Sequence, residues 1–124
     1  MPNERPLVII DLTAEFKRNL RDLSKRFRNI RSDVQLIIEQ LEQGNILGDR
    51  IGDIGEEYVV YKLRVRNSNI KKGKNAGYRL IYQVESPTCI LLLTIYSKSD
   101  REDIAANEIQ DIVANFDREE GNSL

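Results

Sequence analysis

Histidine and tryptophan are absent from this 124-residue chain, and cysteine occurs once. Without histidine there is no imidazole to move protons near neutral pH and no histidine ligand for a metal. A Ser-His-Asp triad is therefore impossible. A single cysteine forms no internal disulfide and, with no histidine beside it, no structural zinc site of the usual kind. Neither a Walker loop nor a dinucleotide-binding glycine pattern occurs. Apolar runs are short: the longest, residues 89–93 (CILLL), suits a buried strand and falls far below the roughly 20 residues of a membrane span. The opening MPNERP lacks the basic-then-apolar order of a secretory signal. The expectation is a soluble cytoplasmic protein, with no membrane contact, that works without cofactor or metal.

What is present is a globular balance, 40% hydrophobic and 31% charged, in a chain long enough for one domain and short for two. A single domain over residues 1–124 is expected, with residues 118–124 a frayed tail. The net charge of −1 argues against general polyanion binding, but the charges are segregated. Between Tyr58 and Arg79 lie seven basic residues (Lys62, Arg64, Arg66, Lys71, Lys72, Lys74, Arg79) and no acid. From Ser99 onward eight acids face only Arg101 and Arg118. Such a block predicts a local basic patch.

Residues 7–12 (LVIIDL) read as a first strand. A helix follows from about Thr13, with Phe16, Leu20, Leu23, Phe27 and Ile30 on one stripe and Lys17, Arg18, Arg21, Lys25, Arg26 and Arg28 on its other faces. Ser32-Asp33-Val34-Gln35 has the form of a capping box, and Gly44-Asn45 a stop, for a second helix carrying Val34, Ile37, Ile38 and Leu41. The period then changes from near 3.6 to 2. Residues 58–66 (YVVYKLRVR), 77–85 (GYRLIYQVE) and 89–97 (CILLLTIYS) predict three antiparallel strands. Ser99-Asp100-Arg101-Glu102 looks like a second capping box, opening a helix whose Ile104, Ile109, Ile112, Val113 and Phe116 face the core. The fold class expected is α+β: an N-terminal strand, a helical hairpin, a three-stranded meander and a C-terminal helix, with the helices on one face of the sheet. The first strand joins that sheet over a distance. Cys89 is expected to be buried and inert.

Alternation in the 58–66 strand sends Lys62, Arg64 and Arg66 to one face. Arg79, with Gln83, joins them if the next strand pairs alongside. Guanidinium forks match pairs of phosphate oxygens, so a sheet face not covered by helix and bearing several of them would grip phosphates. Solvated strand faces carry such residues without function; Arg79, Lys98 and the lysine-rich loop beside them favour the functional reading.

Three segments, YKLRVR (61–66), GYRLIYQV (77–84) and LLTIYSK (92–98), in this order resemble the RelE/ParE toxin superfamily. GKNAG (73–77) followed by LLLTIYSKSDRED (91–103) looks most similar to its HigB branch. The resemblance implies the toxin of a toxin–antitoxin pair: an endoribonuclease that cuts messenger RNA in the ribosomal A site, touches ribosomal RNA and is restrained by a cognate antitoxin. It implies metal-free cleavage, in which the ribose 2′-hydroxyl attacks the adjacent phosphate. By the same resemblance Lys62, Arg64, Arg79, Lys98 and Tyr96 are the candidate catalytic residues, and Arg66, Lys71, Lys72, Lys74 and Gln83 the candidate RNA contacts. Arginine stays protonated and can stabilise charge only; proton transfer falls to lysine, tyrosine or a carboxylate. Tyr78 and Tyr82 share parity with Leu80 and Val84 and belong in the core.

This chain departs from the pattern of RelE itself, which carries a catalytic tyrosine in its C-terminal helix; no tyrosine follows Tyr96, and Ala105 stands near that place. The terminal histidine of other HigB proteins is also missing. The acidic C-terminal end is either solvated or a partial screen over the basic face. Two alternatives follow: a ParE-like inhibitor of DNA gyrase that cuts nothing, and a non-catalytic RNA-binding remnant.

Overall fold

The two periods of the sequence become three helices and a five-stranded mixed sheet in the computed structural model, which describes residues 7–52, 54–69 and 77–122, with side chains to residue 117. The order is β1 (Ile9–Leu12), α1 (Ala14–Ser24), α2 (Ile30–Glu42), β2 (Asp49–Arg50), β3 (Val60–Val65), β4 (Tyr78–Ser86), β5 (Cys89–Ser97) and α3 (Ala106–Asn122). In the sheet they lie as β1-β5-β4-β3-β2. β3, β4 and β5 form the expected meander, and β1 adds to it at a distance, parallel to β5 from Ile9↔Cys89 to Leu12↔Leu92. The two-residue β2, which the sequence does not announce, follows Gly48. That glycine has φ +88°, and a Cβ there would stand 2.4 Å from the Lys62 carbonyl oxygen; only glycine lets the loop lie against β3.

The expectation of helices on one face is corrected. α1 and α2 cover one face, where Phe16, Leu23, Ile30, Val34 and Leu41 pack on Leu63, Val65, Tyr78, Leu80, Tyr82, Leu92 and Ile95. α3 covers the other, with Ile109, Ile112 and Val113 over Ile81, Leu91 and Leu93. The cause is β5, buried at every position from Ile90 to Ser97: a strand apolar on both faces needs cover on both. Each α3 side chain so buried contributes about 1.5–3 kcal/mol. Tyr78 and Tyr82 are core residues as their parity predicts, fully buried, with the Tyr82 hydroxyl bonded to the backbone of Leu47.

Three local readings also change. α2 begins at Ile30, two residues before the expected cap at Ser32, which lies inside the helix, and the Asp33 carboxylate accepts from the backbone N–H and hydroxyl of Ser68 (3.0 and 3.1 Å). α3 begins at Ala106, seven residues beyond the expected cap at Ser99. The Ser99 hydroxyl pairs with that of Ser97 (2.9 Å), and the Ser97 carbonyl accepts from Asp100 and Arg101; residues 98–105 therefore form a strap. Cys89 is only partly buried, at the start of β5, with its thiol 3.2 Å from a Glu85 carboxylate oxygen. Burial and the neighbouring carboxylates push that thiol up to about 11, so it stays protonated and unreactive at neutral pH.

One hydroxyl links these layers. β5 carries a bulge: Ile81 pairs with Thr94 but Tyr82 with Leu92, which leaves Leu93 as the extra residue. The buried Thr13 hydroxyl donates to the Leu93 carbonyl at 2.7 Å, and its oxygen accepts from Phe16 N–H at 2.9 Å as the N-cap of α1. Thr13→Val keeps the shape and removes both bonds; urea unfolding is expected to show a loss of about 1–3 kcal/mol, with Thr13→Ser retaining most of the stability.

Candidate functional site

Register brings the cations together. Across the sheet Arg64 lies directly opposite Arg79, and Arg79 directly opposite Tyr96. The β3–β4 approach there depends on Gly77, where a Cβ would stand 2.7 Å from the Val65 carbonyl oxygen. Arg64 is exposed, whereas Arg79 is only 6% exposed. Its one hydrogen bond among the described residues runs from Nη1 to the Tyr78 carbonyl at 3.2 Å, and neither arginine forms an ion pair there. Burial, then the Arg64 charge, lowers the Arg79 pKa from its ordinary value, which still leaves a guanidinium charged at neutral pH. Like charges set directly opposite on neighbouring strands are destabilising. An anion bridging the two forks would relieve that repulsion and complete their hydrogen bonding.

Lys62 stands two residues along β3 from Arg64, and its Nζ meets the Asp103 carboxylate of the strap at 2.9 Å. The bonds from Lys62 and from Ile104 N–H hold the Asp103 carboxyl below its ordinary value. Lys98, at the end of β5, donates Nζ to the Glu102 carbonyl at 2.8 Å. Arg101 grips Glu108 of α3 with both terminal nitrogens, bonds the Asp103 carbonyl and lies 5.4 Å over the Tyr96 ring. The strap thus crosses the edge of the basic row and ties β3, β5 and α3 together.

The structure sorts the residues singled out from sequence. Lys62, Arg64, Arg79, Tyr96 and Lys98 do converge. Tyr96, however, is 7% exposed beneath Arg101, and its hydroxyl has no hydrogen-bond partner among the described residues. Burial raises its pKa first, and Asp103 next, so it is a neutral phenol, and its ring cannot stack on a base while Arg101 covers it. Arg66 is exposed one residue beyond β3. Gln83 is buried four residues along β4 from Arg79 and does not join the row. Lys71, Lys72 and Lys74 lie outside the described residues.

Asp103, Arg101 and Glu108 were not legible as site residues. The segregation of acid into the C-terminal segment was their signal, and the false capping box obscured it by assigning them to a helix. Among the described residues no helix is long and apolar enough to cross a membrane. Asp11, Glu85 and Cys89 lie within 4.8 Å of one another, away from the row.

No protein-family profile matches the chain, and no curated protein matches it in sequence. Among solved structures it is similar to a doubly arginine-substituted mutant of the E. coli toxin RelE in the free state. The match has a TM-score of 0.51 and 18% identity, and covers 77% of this chain and 88% of that one. The chain therefore has a RelE-like fold.

An exposed ion pair contributes about 0.2–1 kcal/mol, and the Asp103 side chain is 63% exposed, so Asp103 is a weak competitor that a phosphate can displace. Asp103→Asn is expected to raise affinity for a fluorescent oligophosphate by about 1.5- to 5-fold in anisotropy, beyond any gain from Glu102→Gln, which removes the same charge. Asp103 and Glu108 both have lowered folded pKa values, so their contribution to the strap is whole above the ordinary 3.8 and 4.5 and is lost as pH falls through the folded values. Carboxyl NMR titration should show the strap unchanged from neutrality to about pH 5, and released only in stronger acid.

Proposed function

We propose that this protein is the toxin of a toxin–antitoxin pair and cleaves messenger RNA in the ribosomal A site, acting in the cytoplasm. The observation that carries this reading is the Arg64–Arg79 row, two guanidiniums set directly opposite each other on β3 and β4 of a RelE-like sheet, with no ion pair to either among the described residues. The row fits a phosphodiester, which offers paired oxygens to each fork.

In this reading the ribose 2′-oxygen attacks the adjacent phosphorus, the P–O5′ bond breaks, and the products are a 2′,3′-cyclic phosphate and a 5′-hydroxyl. Arg79 and Arg64 stabilise the phosphorane, whose extra negative charge the substrate lacks. One proton leaves the 2′-hydroxyl and one reaches the 5′-oxygen, and the lysines flanking the row, Lys62 and Lys98, serve that traffic. Lys62 becomes available when the substrate phosphate displaces Asp103. Tyr96 remains neutral and supports the row from its edge, while Arg66 and the loop lysines Lys71, Lys72 and Lys74 extend the RNA contact. Partners on this reading are A-site mRNA, ribosomal RNA and a cognate antitoxin that covers the basic row. A gyrase-binding role has no need of grouped phosphate-gripping residues, and no specific observation favours it.

Primer extension on a reporter message in a purified translation system tests the proposal. New 5′ ends in reading-frame register are expected only with ribosomes present. Arg79→Ala should lower their yield at least 100-fold, the scale set by removing one stabiliser of transition-state charge (about 2.7–4 kcal/mol), and Lys62→Ala should lower it as well. Intact message with folded wild-type protein would overturn the reading; undiminished cleavage by the double variant would overturn the site.

A further inference from the structure

Outside the row, α1 and the turn into α2 form a second basic stretch. Residues 14–31 hold seven cations (Lys17, Arg18, Arg21, Lys25, Arg26, Arg28, Arg31) against two acids, Glu15 and Asp22, in a chain whose total charge is −1. The cations divide by flank. Arg18 pairs with Glu15 at 3.8 Å, and Arg26 with Asp100 through two bonds, one of 3.1 Å. Lys17, Arg21 and Lys25 recur every four residues, so they stand along one side of α1 and its C-cap, one turn apart. All three are exposed and form no ion pair among the described residues, and exposed Arg28 and Arg31 carry the charge into the turn and the first turn of α2.

We infer that the Lys17–Arg21–Lys25 stripe is a second nucleic-acid contact, which grips the backbone of double-stranded RNA independently of the cleavage row. The stripe is about 12 Å long, and a duplex with one charge per about 1.7 Å of axis presents enough phosphates along that length to engage all three cations. A stripe of lysine and arginine alone, with no amide or aromatic side chain to read base edges, suits recognition by shape and backbone, which is how A-form duplexes are bound. The bidentate Arg26–Asp100 pair fastens the end of α1 to the turn after β5, so a duplex held on the stripe is held at a fixed position relative to Tyr96 and Arg79. The choice of RNA over other polyanions rests on the cleavage reading; the charge surface does not.

The test is anisotropy with a fluorescent RNA hairpin that offers only duplex and a closed loop, at 50 and 200 mM salt. It compares wild type with K17Q/R21Q/K25Q and with a charge-matched control, Q35E/Q40E/Q43E on the exposed side of α2 and its cap. Three phosphate contacts steepen the salt dependence by a slope of about 2.7, so wild type should lose about 40-fold more affinity than the stripe variant across that range. At 50 mM the stripe variant should bind more than tenfold more weakly and the control less than threefold. Equal weakening of the two variants would overturn the inference. So would fluorescent poly-glutamate that binds wild type as tightly as the hairpin and loses affinity through the stripe, since the surface would then serve an acidic protein. Primer extension on the same preparations separates the two proposals: hairpin binding through the stripe with no cleavage would remove the nuclease reading and leave this one standing.

Discussion

Register is the constraint on which the site depends, and it is decided at two points along the central strands. At the bulge, Leu93 is inserted into β5, so that Tyr96 and not Ile95 comes opposite Arg79. A one-residue slip exchanges the two faces of a strand; without the insertion an isoleucine would sit beside the arginine and Tyr96 would point into the α1–α2 core. At the other point, Gly77 lets the ends of β3 and β4 close on each other and sets Arg64 opposite Arg79. The Thr13 hydroxyl holds the bulge and starts α1 at once, so the placement of the helical hairpin and the placement of the cations are one event.

That register creates an electrostatic problem which the fold solves unevenly. Arg79 is desolvated beside a like charge and has no acid partner among the described residues. The cations around the strap, by contrast, are paired from within the chain: Lys62 with Asp103, Arg101 with Glu108, Arg26 with Asp100. The acidic C-terminal segment therefore works as a partial screen, placed at the margin of the row and not on the arginines themselves. Where the protein leaves a buried cation unsatisfied, an external anion has the most to offer.

Much of this was legible in the sequence. Alternation in residues 58–66 and 77–85 assigned Lys62, Arg64 and Arg79 to a shared face, and the 3.6 period placed Phe16, Leu20 and Leu23 in the core. What stayed hidden was non-local. Simple parity puts Leu92, Thr94 and Tyr96 on one face, and only the bulge moves Leu92 to the other. The helix on the second face was foreshadowed by the unbroken apolar run 89–93, which alternation could not have covered on one side only. Ser99–Glu102 has capping-box spacing but forms none: the Ser99 hydroxyl pairs with that of Ser97, and residues 98–105 are held as a strap by bonds to β3, β5 and α3 instead. Gln83 fits the alternation of the basic face, yet it is buried beyond the reach of the row.

The central claim is that Arg64 and Arg79 form one receptor for a phosphodiester. The most direct measurement is NMR of the arginine side-chain N–H groups during titration with a 2′-deoxy dinucleotide, which binds but cannot be cleaved. The account predicts that the Arg64 and Arg79 signals move together and saturate at one ligand concentration. An Arg79 signal that stays fixed while scattered surface cations respond would contradict it.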